Sequence, residues 1–166
     1  MEVFTVSLFG HRELSDAVEA EKRLYRLVSE LIRTKEYVDF LVGSNGDYDT
    51  LASSVIRRAV KDCDYANASH ILVLPYRTAE YKANVNNFSA YYSEVEICEQ
   101  AADAHFKAAI QIRNQCMIDR SDLVVRYVEH KSGGAYKALK YAEAHGKKVI
   151  NLASPYFSLD DLLPHI

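Results

Sequence analysis

The chain has 166 residues, 49% of them apolar and 26% charged, with a formal net charge of −3. That length gives one domain, residues 1–166, with enough apolar side chains to bury a core. The acidic balance argues against a nucleic-acid partner, since a general binder carries a basic excess, and no apolar run reaches the ~20 residues that span a membrane. Cys63, Cys98 and Cys116 are odd in number and far apart, so neither a zinc site nor a disulfide framework is expected, and a reducing cytoplasmic setting fits.

Val3–Phe9 is β-rich and mostly apolar; it predicts a central strand, and no basic region precedes it to make a signal peptide. Ser15 or Asp16 caps a following helix that carries Glu19 in its first turn. Along it Val18, Leu24, Leu27, Val28, Leu31 and Ile32 recur at helical spacing. Tyr37–Val42 reads as a second strand. Gly43-Ser44-Asn45-Gly46-Asp47 is a turn, and a helix runs from Asp47, its N-cap, to about Lys61. His70–Leu74 is a third strand, stopped by Pro75, and residues 75–87 carry little pattern. Helices are expected over Ser89–Ala102 and Phe106–Met117, a fourth strand over Leu123–Val128, a helix over Gly134–His145 and a fifth strand over Val149–Leu152. Ser158–Leu163 is a short capped turn.

Strands that alternate with helices, and strand runs apolar enough to need burial on both faces, predict an α/β fold. The expected architecture is a Rossmann-like three-layer sandwich with a five-stranded, mostly parallel sheet. Ligands of such folds bind beyond the carboxyl ends of the strands, where the strand order switches. The unusual segments fall at strand ends: Gly10-His11-Arg12, residues 43–49, residues 75–87 and residues 131–134. One shared pocket follows from that convergence.

Ser132-Gly133-Gly134-Ala135 opens the last long helix. Paired glycines let a backbone approach a ligand closely, and the free N–H groups of a first helical turn attract an anion such as phosphate. Arg113, beside Asn114, either points across the strand ends toward that turn or lies at the surface with a packed stem. In the first case its charge-assisted contact contributes roughly 1.5–3 kcal/mol. Gly10 gives the first strand a sharp exit, Arg12 supplies a fork of donors, and His11 is the one histidine in a site loop. The Gly43–Gly46 turn offers exposed amides; the simplest roles of Asp47 and Asp49 are capping and helix-dipole stabilisation. Tyr76, Tyr81, Phe88, Tyr91 and Tyr92 either stack on a base or pack the loop at 75–87 onto the body. No metal spacing, Ser-His-Asp or Cys-His set, Walker motif or GxGxxG stands in the chain, so no metal and no cofactor is implied.

Phe9-Gly10-His11-Arg12, Gly43-Ser44-Asn45-Gly46-Asp47, Ile112-Arg113-Asn114 with Met117 and Ser121-Asp122, Gly133-Gly134 and Gly146–Asn151 follow one another in an order that resembles the SLOG superfamily. That Rossmann-like group joins the SMF/DprA proteins to the LOG phosphoribohydrolases. LOG enzymes carry a helix Arg before a strand and a Gly-Gly-x-Gly-Thr-x-x-Glu turn after it. Arg113, Gly133 and Gly134 match that pattern, while Tyr136, Lys137 and Lys140 replace the third Gly, the Thr and the catalytic Glu. The resemblance therefore implies a sensor or binding protein for a nucleotide or a nucleotide-derived, ADP-ribose- or NAD-like, small molecule. It also implies a homodimer or higher homo-oligomer. The alternative is a nucleoside 5′-monophosphate phosphoribohydrolase or related N-glycosidic-bond enzyme with a relocated carboxylate, from Glu94, Glu96 or Glu99. DNA association, after the DprA branch, has the acidic balance against it. The candidate ligand-binding residues are Gly10, His11, Arg12, Gly43, Ser44, Asn45, Gly46, Asp47, Arg113, Asn114, Ser132, Gly133, Gly134 and Ala135.

Overall fold

The computed structural model describes residues 1–166. Its first strand, β1 (Val3–Gly10), buries Val6 and Leu8 on one face of a sheet and Phe9 on the other. The chain continues through α1 (Ala17–Thr34), β2 (Tyr37–Val42), α2 (Asp47–Cys63), β3 (Ala68–Leu74), α3 (Ala79–Ala83), α4 (Val85–Tyr91) and β4 (Glu94–Ile97). It then forms α5 (Phe106–Asp119), β5 (Leu123–Tyr127), α6 (Gly133–Ala144), β6 (Lys148–Asn151) and α7 (Leu159–Leu162). The sheet order is β4-β3-β2-β1-β5-β6, and every neighbouring pair is parallel. Val6 pairs with Phe40 on one side and Leu123 on the other.

Helices cover both faces, which is why the strands are apolar throughout. Leu24, Leu27 and Leu31 of α1 and Ala52, Val55 and Ile56 of α2 pack over Val6, Phe40, Leu72 and Val125. On the opposite face Ala109, Met117 and Ile118 of α5 and Ala138 and Ala142 of α6 cover Phe9, Leu41, Val73 and Val124. Each fully buried Leu or Ile in these layers contributes about 1.5–3 kcal/mol. No helix is long and apolar enough to cross a membrane.

The sheet has six strands where five are expected. Glu94-Val95-Glu96-Ile97 lies inside a segment expected to be helical, yet it forms β4. Val95 and Ile97 pack toward the first core layer, and Glu96 turns the other way to meet Arg120 at 2.5 Å. Four alternating residues are too few for either periodicity to declare itself. Within residues 75–87, read as patternless, α3 starts where the Thr78 side chain accepts a hydrogen bond from Tyr81 N–H at 3.1 Å.

Helix starts set the geometry of the sheet's carboxyl edge. Asp16 caps α1, accepting from Glu19 N–H at 3.0 Å, whereas Ser15 donates to Glu129 at 2.5 Å. The N-cap of α2 is Gly46 rather than Asp47, and Asp47 N–H donates to the Arg12 carbonyl at 2.8 Å. The β1 and β2 exits are thereby joined. A Cβ at Gly10 would stand 2.1 Å from Tyr48 Cγ, so glycine there lets the fully buried Tyr48 close over the end of β1. From β1 the chain steps outward through β2, β3 and β4, then returns through α5 to β5 on the other side. The strand order switches between β1 and β5.

Candidate functional site

A cleft of about 470 Å³ opens at that switch point. The β1 exit contributes Phe9 to Glu13, the β2–α2 turn Gly43, Asn45 and Asp49, α5 Ile110, Arg113 and Asn114, and the β5–α6 turn His130 and Gly133 to Ala135.

Arg113 projects from α5 and is only 3% exposed. Its Nε donates to Asn114 Oδ1 at 2.8 Å and its Nη1 to the Val73 carbonyl at 2.7 Å. No carboxylate forms an ion pair with it. Burial lowers its pKa, and Asp49 opposes that shift. A buried cation without an ion pair is costly, and here it borders the cleft.

Asp49 sits in the first turn of α2, where its Oδ2 accepts from Asn45 N–H at 2.8 Å. Burial raises its pKa, against the Asn45 hydrogen bond and the charge of Arg113. Gly43 lies between the two side chains. A Cβ on it would stand 3.0 Å from Asp49 Oδ2 and 3.2 and 3.3 Å from the Arg113 Nη atoms.

His11 is 7% exposed and ties two loops together. Its Nε2 accepts from Glu129 N–H at 3.1 Å and from His130 N–H at 3.4 Å. An accepting Nε2 leaves the ring proton on Nδ1 and the ring neutral. Burial and then His130 lower the His11 pKa, while Glu129 raises it. The His11 and His130 rings stack with centroids 3.6 Å apart, and His130 Nδ1 meets Ser132 Oγ at 3.0 Å. Beyond Ser132, Gly133 takes φ +86°, a conformation that favours glycine. Nothing lies within 4 Å of a Cβ built on Gly133 or Gly134, and no side chain caps α6. The first turn of α6 is open to the cleft.

Gly10, His11, Arg12, Gly43, Asn45, Arg113, Asn114, Gly133, Gly134 and Ala135 thus share one cleft, and Ser44, Gly46, Asp47 and Ser132 lie outside its lining. Gly46 takes φ +154°, and a Cβ there would stand 2.6 Å from Arg12 Cα. Asp47 faces a separate groove between α1 and α2. Sequence reasoning misses Phe9, Glu13, Asp49, Ile110 and His130 as lining residues. Ile110 stands one helical turn before Arg113, and that spacing was the available signal. Glu94, Glu96 and Glu99 line a different groove beside β4; the carboxylates at the cleft are Glu13 and Asp49. Tyr81, Phe88, Tyr91 and Tyr92 pack against one another and His70, away from the cleft.

No protein-family model and no curated protein matches the chain. Solved structures do. DNA processing protein A (DprA) from Streptococcus pneumoniae matches with a TM-score of 0.66 at 17% identity over 98% of this chain, which spans 55% of that protein. DprA from Helicobacter pylori, whose structure is described for its single-stranded DNA binding mode, matches with a TM-score of 0.64 at 18% identity, covering 97% of this chain and 72% of that one. The chain shares the α/β fold of these DprA structures. A third structure with this fold, the molybdenum cofactor binding protein from the phototrophic bacterium Rippkaea orientalis, gives a TM-score of 0.61 at 19% identity, over 91% of this chain and 77% of that one.

The comparison corrects one expectation. The acidic balance argues against a nucleic-acid partner, yet this fold is shared with a protein described as binding single-stranded DNA. Net charge sums the whole surface and does not report the field inside one cleft. The exclusion of nucleic acid is withdrawn.

Proposed function

We propose that this protein binds a nucleotide or nucleotide-derived ligand in the β1/β5 cleft, with phosphate on the first turn of α6 and Arg113 beside it. The observation that carries this reading is Arg113 itself, a buried cation at the cleft with no ion pair inside the protein. A ligand completes its environment. The cleft, at about 470 Å³, is in the usual range for small-molecule sites, roughly 300–1,000 Å³. Binding rather than bond cleavage is favoured by α6, where Lys137 and Lys140 are exposed and Lys140 pairs with Glu143 at 3.6 Å. Three free thiols accord with a cytoplasmic setting.

A phosphate can also arrive on a single-stranded nucleic acid, and the H. pylori DprA structure supports that second reading. Titration calorimetry with AMP, ADP-ribose and a short single-stranded DNA separates the two. The first reading expects a free nucleotide to bind, and Arg113→Ala to weaken it about 10- to 100-fold, as loss of a charge-assisted hydrogen bond of roughly 1.5–3 kcal/mol requires. Binding of the oligonucleotide alone, with affinity falling steeply as salt rises, transfers the site to the second reading. Release of free base from AMP would instead support the enzymatic alternative.

A further inference from the structure

The cleft has two chemically different ends. At the α6 end, the Gly133 and Gly134 backbone faces open space and no side chain caps the helix. At the α2 end, an acid and a base converge over Gly43. Of the Asp49 carboxylate, Oδ2 is taken by Asn45 N–H, and Oδ1 accepts no hydrogen bond from the protein. Of the Arg113 guanidinium, Nε and Nη1 are taken, and Nη2 donates to nothing in the protein. Asp49 Oδ2, a carboxylate oxygen able to accept a second hydrogen bond, and the free Arg113 Nη2 therefore face the space that a side chain at residue 43 would fill.

Few chemical groups satisfy both. A phosphate placed there meets the charge of Asp49, and an ammonium meets that of Arg113. A hydroxyl is donor and acceptor at once. Two adjacent hydroxyls do better still, one donating to the Asp49 carboxylate and the other accepting from Nη2. A carboxylate placed after the second strand reads ribose hydroxyls in dinucleotide-binding sheets, by the same chemistry.

We propose that Asp49 and Arg113, held apart over Gly43, form a receptor for the vicinal hydroxyls of a ribose, so that the ligand is a ribonucleotide. This rests on the nucleotide reading above and deepens it. It assigns Asp49 the role of a specificity-determining residue and gives the free Nη2 of Arg113 a sugar hydroxyl as its partner. It also distinguishes the free ligand from single-stranded DNA, whose sugars lack the 2′-hydroxyl. Burial works against the charged form of Asp49, and the Asn45 hydrogen bond and the Arg113 charge favour it.

The test is calorimetric titration of the intact chain with AMP and with 2′-deoxy-AMP, repeated on Asp49→Asn. The asparagine side chain still offers an oxygen to Asn45 N–H, so the turn is kept, and a thermal melt reports on folding. The parent is expected to prefer AMP by about tenfold or more, as a hydrogen bond to a charged group implies. Asp49→Asn is expected to cut that ratio to below about threefold, since the charge that strengthens the hydrogen bond is gone. Equal affinities in the parent overturn the ribose receptor alone and leave the nucleotide site standing. A folded Asp49→Asn that keeps the full preference overturns the role of Asp49. Absence of binding by either nucleotide overturns the receptor and the nucleotide reading together.

Discussion

Tyr48 shows how the site loops depend on single residues. Its ring is fully buried against the end of β1, and its hydroxyl has no hydrogen-bond partner. Burial raises the phenol pKa far above its ordinary value. An unpaired buried hydroxyl costs about 1–3 kcal/mol. Tyr48→Phe keeps the packing and removes that cost, so thermal denaturation should show a variant more stable by about 1 kcal/mol. A less stable variant would mean that the hydroxyl has a partner. The glycine facing Tyr48, Gly10, is legible in the sequence because a turn after a strand is a local event. The tyrosine is not, because nothing local distinguishes a helix residue that covers a strand end from any other. Asp49 is a similar case. Its sequence context suits a helix-dipole role, and only the fold brings it to Gly43 and Arg113.

At the scale of elements, the β5–α6 turn is held by a side chain from β1's exit. His11 accepts two N–H groups of that turn through Nε2, and Ser15 adds a hydrogen bond to Glu129 at 2.5 Å. Protonation of His11 removes the acceptor and places a charge beside His130. A second buried histidine, His70 on β3, bonds Ser53 Oγ at 2.9 Å. Its pKa is pushed down to about 4, first by burial and then by the charge of Arg57. Both histidines have folded pKa values below the ordinary 6.5. A depressed histidine contributes stability that is fully present above 6.5 and is lost as pH falls through the folded value. The contribution of His70 is on the order of 3 kcal/mol. The melting midpoint should therefore fall between pH 6.5 and about 4, and His70→Asn should flatten that fall. An equal slope in parent and variant would remove His70 as its source.

The elements themselves were unevenly readable. Helices α1 and α2, with 18 and 17 residues, repeat their apolar positions often enough to be recognised. Helices α3 and α4 have 5 and 7 residues and β4 has 4, so none shows more than two periods of its pattern.

At the scale of the whole molecule, the parallel sheet and the β1/β5 switch bring three loops and α5 to one cleft, whereas residues 75–87, expected to join them, lie outside its lining. That convergence was legible because strand ends, glycines and the α/β alternation together fix where loops gather. Side-chain direction was not, which is why Phe9, Ile110 and His130 emerge only in three dimensions. The choice of partner was least legible of all, since a net charge of −3 describes the surface as a whole. A nucleotide in this cleft lays its phosphate on α6 and its sugar over Gly43 if the proposed function holds. An amide-resolved NMR titration of the ¹⁵N-labelled protein with AMP tests it most directly. Saturable shifts are expected at Gly133, Gly134 and Ala135 together with Gly43 and Asn45, all of them cleft residues. Shifts confined to the groove at Glu96, Cys98 and Arg120, or none at saturating AMP, would contradict it.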